Sequence, residues 1–177
     1  MGIITREPRA TPDVASQRKL HPTALAPLLV ASDGTPRSDD AIRAARIIAE
    51  RTGQHVQVIG VHQPLPTLSP EAGFIEGPLA ESESRAAMHV RVLEQLMRVR
   101  IEERWPVEVL TGQPAPTIVK VAHRIGASLV VMGLGGHGMY DRVIGDEMVP
   151  QVIRLGTVPV LAVAPGFRDL PSRVLAA

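Results

Sequence analysis

The chain has 177 residues, of which 45% are hydrophobic and 21% charged, a composition that predicts one globular domain with a sizeable core. Its 19 basic and 18 acidic residues leave a net charge of +1, which gives no overall bias towards nucleic acid or an anionic membrane. Aromatic residues make up only 2% of the chain, which argues against stacking platforms for single-stranded nucleic acid.

The chain contains no cysteine, which excludes disulfides, thiolate nucleophiles and cysteine-based metal sites. No apolar run approaches the roughly 18–20 residues of a membrane-spanning helix. The first residues also lack the apolar region of a secretory signal. We therefore expect a cytoplasmic protein with no metal site, which binds neither nucleic acid nor membrane.

The chain divides into one predicted domain with two tails. Residues 1–26 are rich in proline, threonine, alanine and arginine and show no apolar periodicity, which is typical of a disordered or loosely docked tail. The pattern of an ordered α/β domain covers residues 27–165. Residues 166–177 are expected to form a short C-terminal tail.

The first elements follow in quick succession. The apolar run 28–32 ends in a turn and predicts a strand. Thr35 and Pro36 have the pattern of a helix N-cap followed by proline at the first helical position, and Gly53 predicts the end of that helix. A second buried strand is expected over 56–61.

The middle of the chain predicts a loop and a long helix. Residues 64–78 contain several prolines and two glycines and must form a loop. From about 79 to 104 the pattern is helical. The residues expected to form its buried stripe are Ala86, Val90, Leu93, Leu96 and Met97.

The last part of the chain alternates strands with helices. Strands are predicted over 107–110, 128–132 and 158–164, and helices over 117–124 and 147–155. The strands read as continuous apolar runs, which indicates a parallel sheet covered by helices on both faces, a five-stranded doubly wound α/β fold. In such sheets ligands bind beyond the carboxyl ends of the strands, here the loops after the first and fourth strands.

Four stretches, in this order and spacing, resemble the universal stress protein family. They are Val30-Ala31-Ser32-Asp33-Gly34-Thr35, Thr111-Gly112-Gln113-Pro114-Ala115, Gly126-Ala127-Ser128-Leu129-Val130-Val131-Met132-Gly133 and Val158-Pro159-Val160-Leu161-Ala162-Val163. The resemblance covers about Leu28 to Pro165. It implies a Rossmann-like or flavodoxin-like sheet in strand order 3-2-1-4-5, and a homodimer formed through the last strand, Val158 to Ala164.

The resemblance also implies a nucleotide pocket. Family members use an acid near the adenine and ribose, and a glycine signature that holds phosphate: Gly, two residues, Gly, nine residues, Gly, then Ser or Thr. Gly133 and Gly136 match its first part, and His137 lies inside the same loop, where it could donate to a phosphate. The candidate nucleotide-binding residues are Ser32, Asp33, Gly34, Val61, Met132, Gly133, Gly136, His137 and Gly145.

The second half of the glycine signature is altered. Nine residues after Gly136 the chain has Asp146 and Glu147, and a slip of one residue gives Gly145 and Asp146, so an acid replaces the hydroxyl in either register. At 4 Å and an effective dielectric of 20, two unit charges repel by roughly 4 kcal/mol. Residues 133–149 also carry one arginine against three acids. We therefore expect weak or absent ATP binding.

Simpler roles are open for the same acids. Asp146 can cap the last helix, with Glu147 favourable in its first turn, so that these acids occupy the position that phosphate takes elsewhere. Asp33 can cap the turn into the first helix.

The functions left open belong to different classes. The first is a stress-response protein that acts by binding, without turnover. The second is a regulatory switch that binds ATP or AMP with slow or no hydrolysis, ATP being the one cofactor considered. An enzyme acting on a nucleotide or a phosphorylated metabolite, with Asp33 and His137 in chemical roles, is less expected, since no catalytic constellation is found. The last is an interaction module that recruits a protein partner through the 64–78 loop and the tails.

Overall fold

The computed structural model describes residues 25–63, 78–134 and 148–169. Its strands are β1 (Leu28–Ala31), β2 (Val56–His62), β3 (Val107–Thr111), β4 (Leu129–Gly133) and β5 (Val160–Val163). Its α-helices are α1 (Asp39–Thr52), α2 (Pro78–Arg98), α3 (Pro114–Ile125) and α4 (Met148–Leu155), and a 3-10 turn over Pro36–Ser38 precedes α1. Most of the predicted N-terminal tail, proline-rich loop, glycine loop and C-terminal tail lies outside the described residues.

The five strands form one parallel sheet in the order β3-β2-β1-β4-β5, which confirms the predicted fold class. Val30 of β1 lies between Val58 of β2 and Val131 of β4, so β1 is the central strand. The chain adds strands on one side of β1 and then crosses to the other side. The carboxyl ends of β1 and β4 therefore form the switch point of the sheet, where doubly wound folds hold their ligands.

Two apolar layers cover the sheet, one on each face. Leu28 and Val30 of β1 pack in the layer beneath α1 and α2, and Leu29 between them packs in the layer beneath α3 and α4. All three side chains are at most 1% exposed. Because both faces are covered, inward and outward positions are equally apolar, which explains why the strands read as continuous hydrophobic runs.

Local backbone chemistry moves several predicted boundaries. Helix α2 ends at Arg98 and not near 104, because Arg100 has a φ of 59° and the N–H of Ile101 bonds back to the carbonyl of Leu96 at 2.9 Å. Helix α3 begins at Pro114, three residues earlier than predicted, since proline fits the first helical position. Strand β5 begins only after Pro159.

Thr35 takes the predicted N-cap position, followed by Pro36, but it opens the 3-10 turn and not α1, whose N-cap is Ser38. Thr35 precedes the 3-10 turn, and its side chain makes no capping hydrogen bond. Its hydroxyl instead donates to the Asp33 carboxylate at 2.8 Å. The Asp33 carboxylate and the unpaired N–H groups of the first helical turn are alternative partners for this hydroxyl. The charged carboxylate is the stronger partner, so the Thr35 side chain turns back towards Asp33.

The predicted buried stripe of α2 is also wrong in phase. Val90, Leu93 and Met97 are 51%, 40% and 69% exposed, and Ala86 is exposed as well. Only Leu96 of that set is buried. The buried face runs instead through Met88, Val92, Gln95, Leu96 and Val99. The prediction of a helix was correct, but the face that packs against the sheet has a polar residue, Gln95, at its centre.

The segment after β5 packs against α1 as far as the structure describes it. The N–H of Gly166 donates to Asp40 at 2.8 Å, and Phe167 packs against the core layer beneath α1 and α2. Arg51 pairs with Asp169 at 3.0 Å. The start of the expected C-terminal tail therefore lies on the domain.

Within the described residues, no helix has both the length and the apolar character needed to cross a membrane.

Candidate functional site

A cavity of about 230 Å³ opens at the switch point, on the face of the sheet covered by α3 and α4. Its walls combine apolar side chains with a polar edge supplied by the loop that joins β1 to α1. The lining residues are Ala31, Ser32, Asp33, Arg37, Ser38, Ile59, Val61, Pro114, Ile118, Met132, Gly133, Leu134 and Met148. A largely apolar cavity with a few convergent polar groups is the usual form of a small-molecule site.

The exposed carboxylate of Asp33 stands at the polar edge of this cavity. Its Oδ1 accepts three hydrogen bonds, from the N–H of Thr35 at 2.9 Å and from the hydroxyls of Thr35 and Ser38 at 2.8 Å each. Among the described residues, its Oδ2 accepts only the Thr35 hydroxyl, at 3.0 Å. A carboxylate offers about four acceptor positions, so Oδ2 keeps capacity for a ligand donor while Oδ1 is saturated. The turn thus orients Asp33 before any ligand arrives.

The two serines of the cavity edge are engaged by the protein itself. The Ser32 hydroxyl donates to Oε1 of Gln95 and accepts the N–H of Gly34 at 3.1 Å. The Ser38 hydroxyl lies 2.9 Å from that of Ser32 and 2.8 Å from Oδ1 of Asp33. Both hydroxyls therefore serve to shape the loop, and ligand recognition by side chains falls to the residues around them.

Gln95 of α2 is the centre of this polar network, and the sequence interpretation missed it. It is 0% exposed. Its Nε2 lies 3.0 Å from the carbonyl of Thr35, 2.8 Å from the hydroxyl of Ser38 and 2.9 Å from Oδ1 of Asp39. A polar residue in a helix is normally read as exposed. The local sequence contains no signal for Gln95, because the predicted apolar stripe of α2 followed another face of the helix.

Asp39, at the start of α1, forms a two-point ion pair with Arg98 of α2. The guanidinium donates to Oδ2 at 3.0 Å and to Oδ1 at 2.8 Å. Burial acts to raise the pKa of the Asp39 carboxyl, but the hydrogen bonds from Arg98 and Gln95 and the charge of Arg98 outweigh it. The pKa of Asp39 therefore lies below its ordinary value of 3.8.

This ion pair predicts a specific pH dependence of stability. Because the folded pKa of Asp39 is lowered, its contribution is complete above the unfolded value of 3.8 and is lost as pH falls through the folded value. We expect Asp39→Asn to lose about 2 kcal/mol of unfolding free energy near pH 7. In urea titrations, the gap between wild type and variant should shrink as pH falls below 3.8. A gap that stays constant down to pH values of about 2 would contradict this.

Gly34 packs against α2 and is not among the cavity-lining residues. Its φ is 77°, and a Cβ there would lie 2.8 Å from the backbone carbon and the Cβ of Arg91. Its N–H is bonded to Ser32, and its carbonyl lies 3.4 Å from a guanidinium nitrogen of Arg98. The structure therefore places Gly34 at the contact between loop and helix, and its predicted ligand contact stays a prediction.

Gly133 lines the cavity, and close packing also requires it to be small. A Cβ there would lie 3.3 Å from the carbonyl oxygen of Arg37 and 3.4 Å from Cα of Ser38. The absence of a side chain lets the turn before α1 approach the end of β4. The first glycine of the signature thus has a structural reason apart from any phosphate.

The other predicted site residues divide into two groups. Val61 and Met132 both line the cavity, as the family resemblance implied for its walls. The predictions for Gly136, His137, Gly145, Asp146 and Glu147 lie outside the described residues. Leu134 and Met148, the described residues on either side of that gap, both line the cavity. In the part of the chain that the structure describes, no group of three histidine or acidic side chains is arranged to hold a metal.

Comparisons with known proteins agree with this geometry. The chain is 28% identical over 136 residues to the universal stress protein in the QAH/OAS sulfhydrylase 3' region of Thermus aquaticus. The aligned region covers 77% of this chain and 96% of the relative. The fold of this chain is similar to that of the universal stress protein UspA from Lactobacillus plantarum, with a TM-score of 0.61 and 18% identity over 78% of this chain and 97% of the other.

A second solved structure, of a universal stress protein in complex with cAMP, has a TM-score of 0.56 and 20% identity, and covers 80% of this chain and 98% of the other. The family model of the universal stress proteins matches residues 26–164, which include every strand and helix of the structure. This chain therefore belongs to the universal stress protein family.

Proposed function

We propose that this protein is a cytoplasmic stress-response protein that acts by binding an adenine nucleoside or its monophosphate, without turnover, and that binds ATP weakly. The observation that carries the proposal is the oriented carboxylate of Asp33, a residue that lines a largely apolar cavity at the switch point of the sheet. An acceptor at the edge of an apolar cavity selects a flat apolar ligand that has hydroxyl or amine donors at one side.

The walls of the cavity favour a nucleobase. Ile59 and Val61 of β2, Ile118 of α3 and Met132 of β4 provide apolar surface, to which Met148 of α4 adds a flexible thioether. Methionine adapts to the shape of its partner and contacts aromatic rings favourably. A purine packed among these side chains would leave its ribose hydroxyls or its amine near Asp33.

The charges around the cavity favour few phosphates. Arg37 is the arginine among the described residues that line the cavity, and it also has an interaction within the protein. In the sequence, the segment between the lining residues Leu134 and Met148 carries one arginine against three acids, and we propose that these acids oppose each additional phosphate charge. A related protein has been solved with cAMP, a nucleotide with a single phosphate. These features together support a monophosphate over a triphosphate.

Binding without turnover is supported by the state of the two hydroxyls at the cavity. Ser32 donates to Gln95, and Ser38 is hydrogen-bonded within the same buried network. Among the described residues that line the cavity there is no histidine to act as a general base. The arrangement therefore favours a ligand-sensing role over catalysis.

Isothermal titration of wild type and Asp33→Asn with AMP tests this proposal. The amide keeps the shape of the side chain but removes the charged acceptor, and a hydrogen bond to a charged group contributes about 1.5–3 kcal/mol. We expect the AMP dissociation constant to rise roughly 10- to 100-fold. Asp169→Asn, which changes an exposed acid paired with Arg51, is the matched control and should leave AMP binding unchanged. Equal affinity in wild type and Asp33→Asn would overturn the role of Asp33.

We also propose that the protein forms a homodimer through β5. This strand is the last in the sheet order and pairs with β4 on one side. The carbonyl of Pro159 accepts the N–H of Val130 in β4, and the carbonyl of Val163 accepts the N–H of Leu134, just after β4. The backbone groups of Val160 and Ala162 therefore face the other edge, where no strand of the described residues pairs with β5. An open edge of this kind is a template for pairing with a second copy.

The dimer is tested by Ala162→Pro, which removes an outward N–H and keeps the bonds to β4. Light scattering should show a dimeric wild type and a variant of half the mass, with an unchanged circular dichroism spectrum. A monomeric wild type, or a variant that stays dimeric, would contradict pairing through β5.

A further inference from the structure

Helix α2 holds the loop between β1 and α1 on three successive turns, although the described residues that line the cavity include none from α2. Gly34 lies directly against the backbone of Arg91. Four residues further on, Gln95 bonds to the loop, and three residues after that, Arg98 bonds to Asp39. Positions 91, 95 and 98 lie on one face of a helix, so this face of α2 acts on the loop as a unit.

A continuous chain of hydrogen bonds leads from Gln95 to the ligand-facing carboxylate. Nε2 of Gln95 donates to the Ser38 hydroxyl at 2.8 Å, and that hydroxyl donates to Oδ1 of Asp33 at 2.8 Å. On its other side, Oε1 of Gln95 accepts the Ser32 hydroxyl, which in turn accepts the N–H of Gly34. The buried amide therefore fixes the loop on both sides of Asp33.

Only an amide satisfies both ends of this arrangement. Three acceptors surround Nε2, namely the carbonyl of Thr35, the hydroxyl of Ser38 and the carboxylate of Asp39, while a hydroxyl donor faces Oε1. A glutamate at position 95 would have the same shape but would place a second buried carboxylate against Asp39. Burying a charge without a partner is costly, so the loop would have to move.

We propose that Gln95 is a positioning residue for the ligand site: through Ser32 and Ser38 it holds Asp33 in its binding orientation. This inference rests on the proposed function, because it assigns Gln95 to the site at which Asp33 recognises the nucleoside. It makes α2, which lies outside the cavity, a determinant of ligand affinity.

The test compares Gln95→Glu and Gln95→Met with Met88→Ala and wild type. Met88 lies two turns earlier on the same buried face and meets Gly60 of β2, away from the loop. Two quantities are measured in each protein: hydrogen exchange of the Gly34 and Thr35 amides, and affinity for AMP by isothermal titration. The exchange measurement needs no ligand.

We expect both Gln95 variants to exchange these two amides at least tenfold faster and to bind AMP at least tenfold more weakly than wild type. Met88→Ala should melt at a lower temperature but keep the exchange rates of these amides and the affinity for AMP within about twofold of wild type. A purely structural role for Gln95 would make the two kinds of variant behave alike. If Gln95→Glu does not fold, Gln95→Met carries the comparison.

Each remaining outcome decides a separate point. A wild type that does not bind AMP overturns the proposed function, while the exchange rates still decide whether Gln95 holds the loop. Unchanged exchange in Gln95→Met overturns the positioning role. Faster exchange with unchanged AMP affinity overturns the link between the loop and the ligand. Equal losses of AMP affinity in Gln95→Met and Met88→Ala would mean that lower stability of the fold causes both losses, which overturns the proposal.

Discussion

Replacing Gly34 with alanine is expected to lower the free energy of unfolding by roughly 3 kcal/mol. Two penalties add at this position. The φ of 77° disfavours any side chain by about 1 kcal/mol, and a Cβ would lie 2.8 Å from the backbone of Arg91. Backbone on both sides of this contact leaves little room for relaxation, so α2 and the ligand loop must separate.

Gly53→Ala is the matched control for this prediction. Gly53, which follows α1, has a φ of 72°, but nothing lies within 4 Å of a Cβ built on it. It should therefore show only the conformational penalty, about 1 kcal/mol. Urea unfolding of both variants separates the two penalties. Equal losses for Gly34→Ala and Gly53→Ala would show that the contact with α2 is not tight.

The double variant Asp146→Gly/Glu147→Ser should raise the affinity for Mg-ATP at least tenfold. It restores the glycine and hydroxyl of the phosphate signature and removes two negative charges. Even a strongly screened repulsion of about 1.4 kcal/mol corresponds to a factor of ten in affinity. AMP, which carries fewer phosphate charges, should gain less. Isothermal titration of both nucleotides against both proteins measures the difference.

A control variant that removes two acids elsewhere shows whether the gain in ATP affinity depends on the position of the acids or only on the net charge of the protein. Glu102→Gly/Glu103→Ser removes two exposed acids from the segment before β3, away from the cavity-lining residues. This control should leave ATP affinity within about twofold of wild type. If the variant at 146 and 147 binds ATP no better than this control, the electrostatic explanation of the altered signature is wrong.

The sheet could be predicted from the sequence because its determinants are local. Apolar runs such as 28–32 and 128–132 have no polar face, which only a strand buried on both sides tolerates. The carboxyl ends of these two strands then follow from the doubly wound topology, and with them the position of the cavity. Val61 and Met132, which both close apolar strands at that edge, were identified from the family resemblance.

Ser32 and Asp33 were predicted at the polar edge of the cavity, but the hydrogen-bond network that holds them could not be predicted, because long-range contacts decide it. Gln95 is 63 residues from Ser32 in the chain, and nothing in the local pattern of α2 shows that a polar side chain is needed there. The apolar residues Val90, Leu93 and Met97 suggested the opposite face of the helix. Leaving buried polar groups without hydrogen-bond partners can cost more free energy than exposing several apolar side chains. The network then decides which face of the helix is buried.

Two of the departures from the sequence prediction have one cause. Thr35 does not cap α1 because its hydroxyl serves Asp33, and the phase of α2 differs because Gln95 serves the same loop. Both departures from local rules occur around the carboxylate that faces the cavity. Such departures concentrate at functional sites, which is consistent with a binding role for this loop.

Isothermal titration of the wild-type protein with AMP and with Mg-ATP at moderate salt tests the central claim most directly. The proposed cavity, with its oriented Asp33 and its acidic neighbouring segment, predicts micromolar binding of AMP and at least tenfold weaker binding of ATP. Binding of ATP as tight as that of AMP, or no binding of AMP up to millimolar concentration, would contradict it.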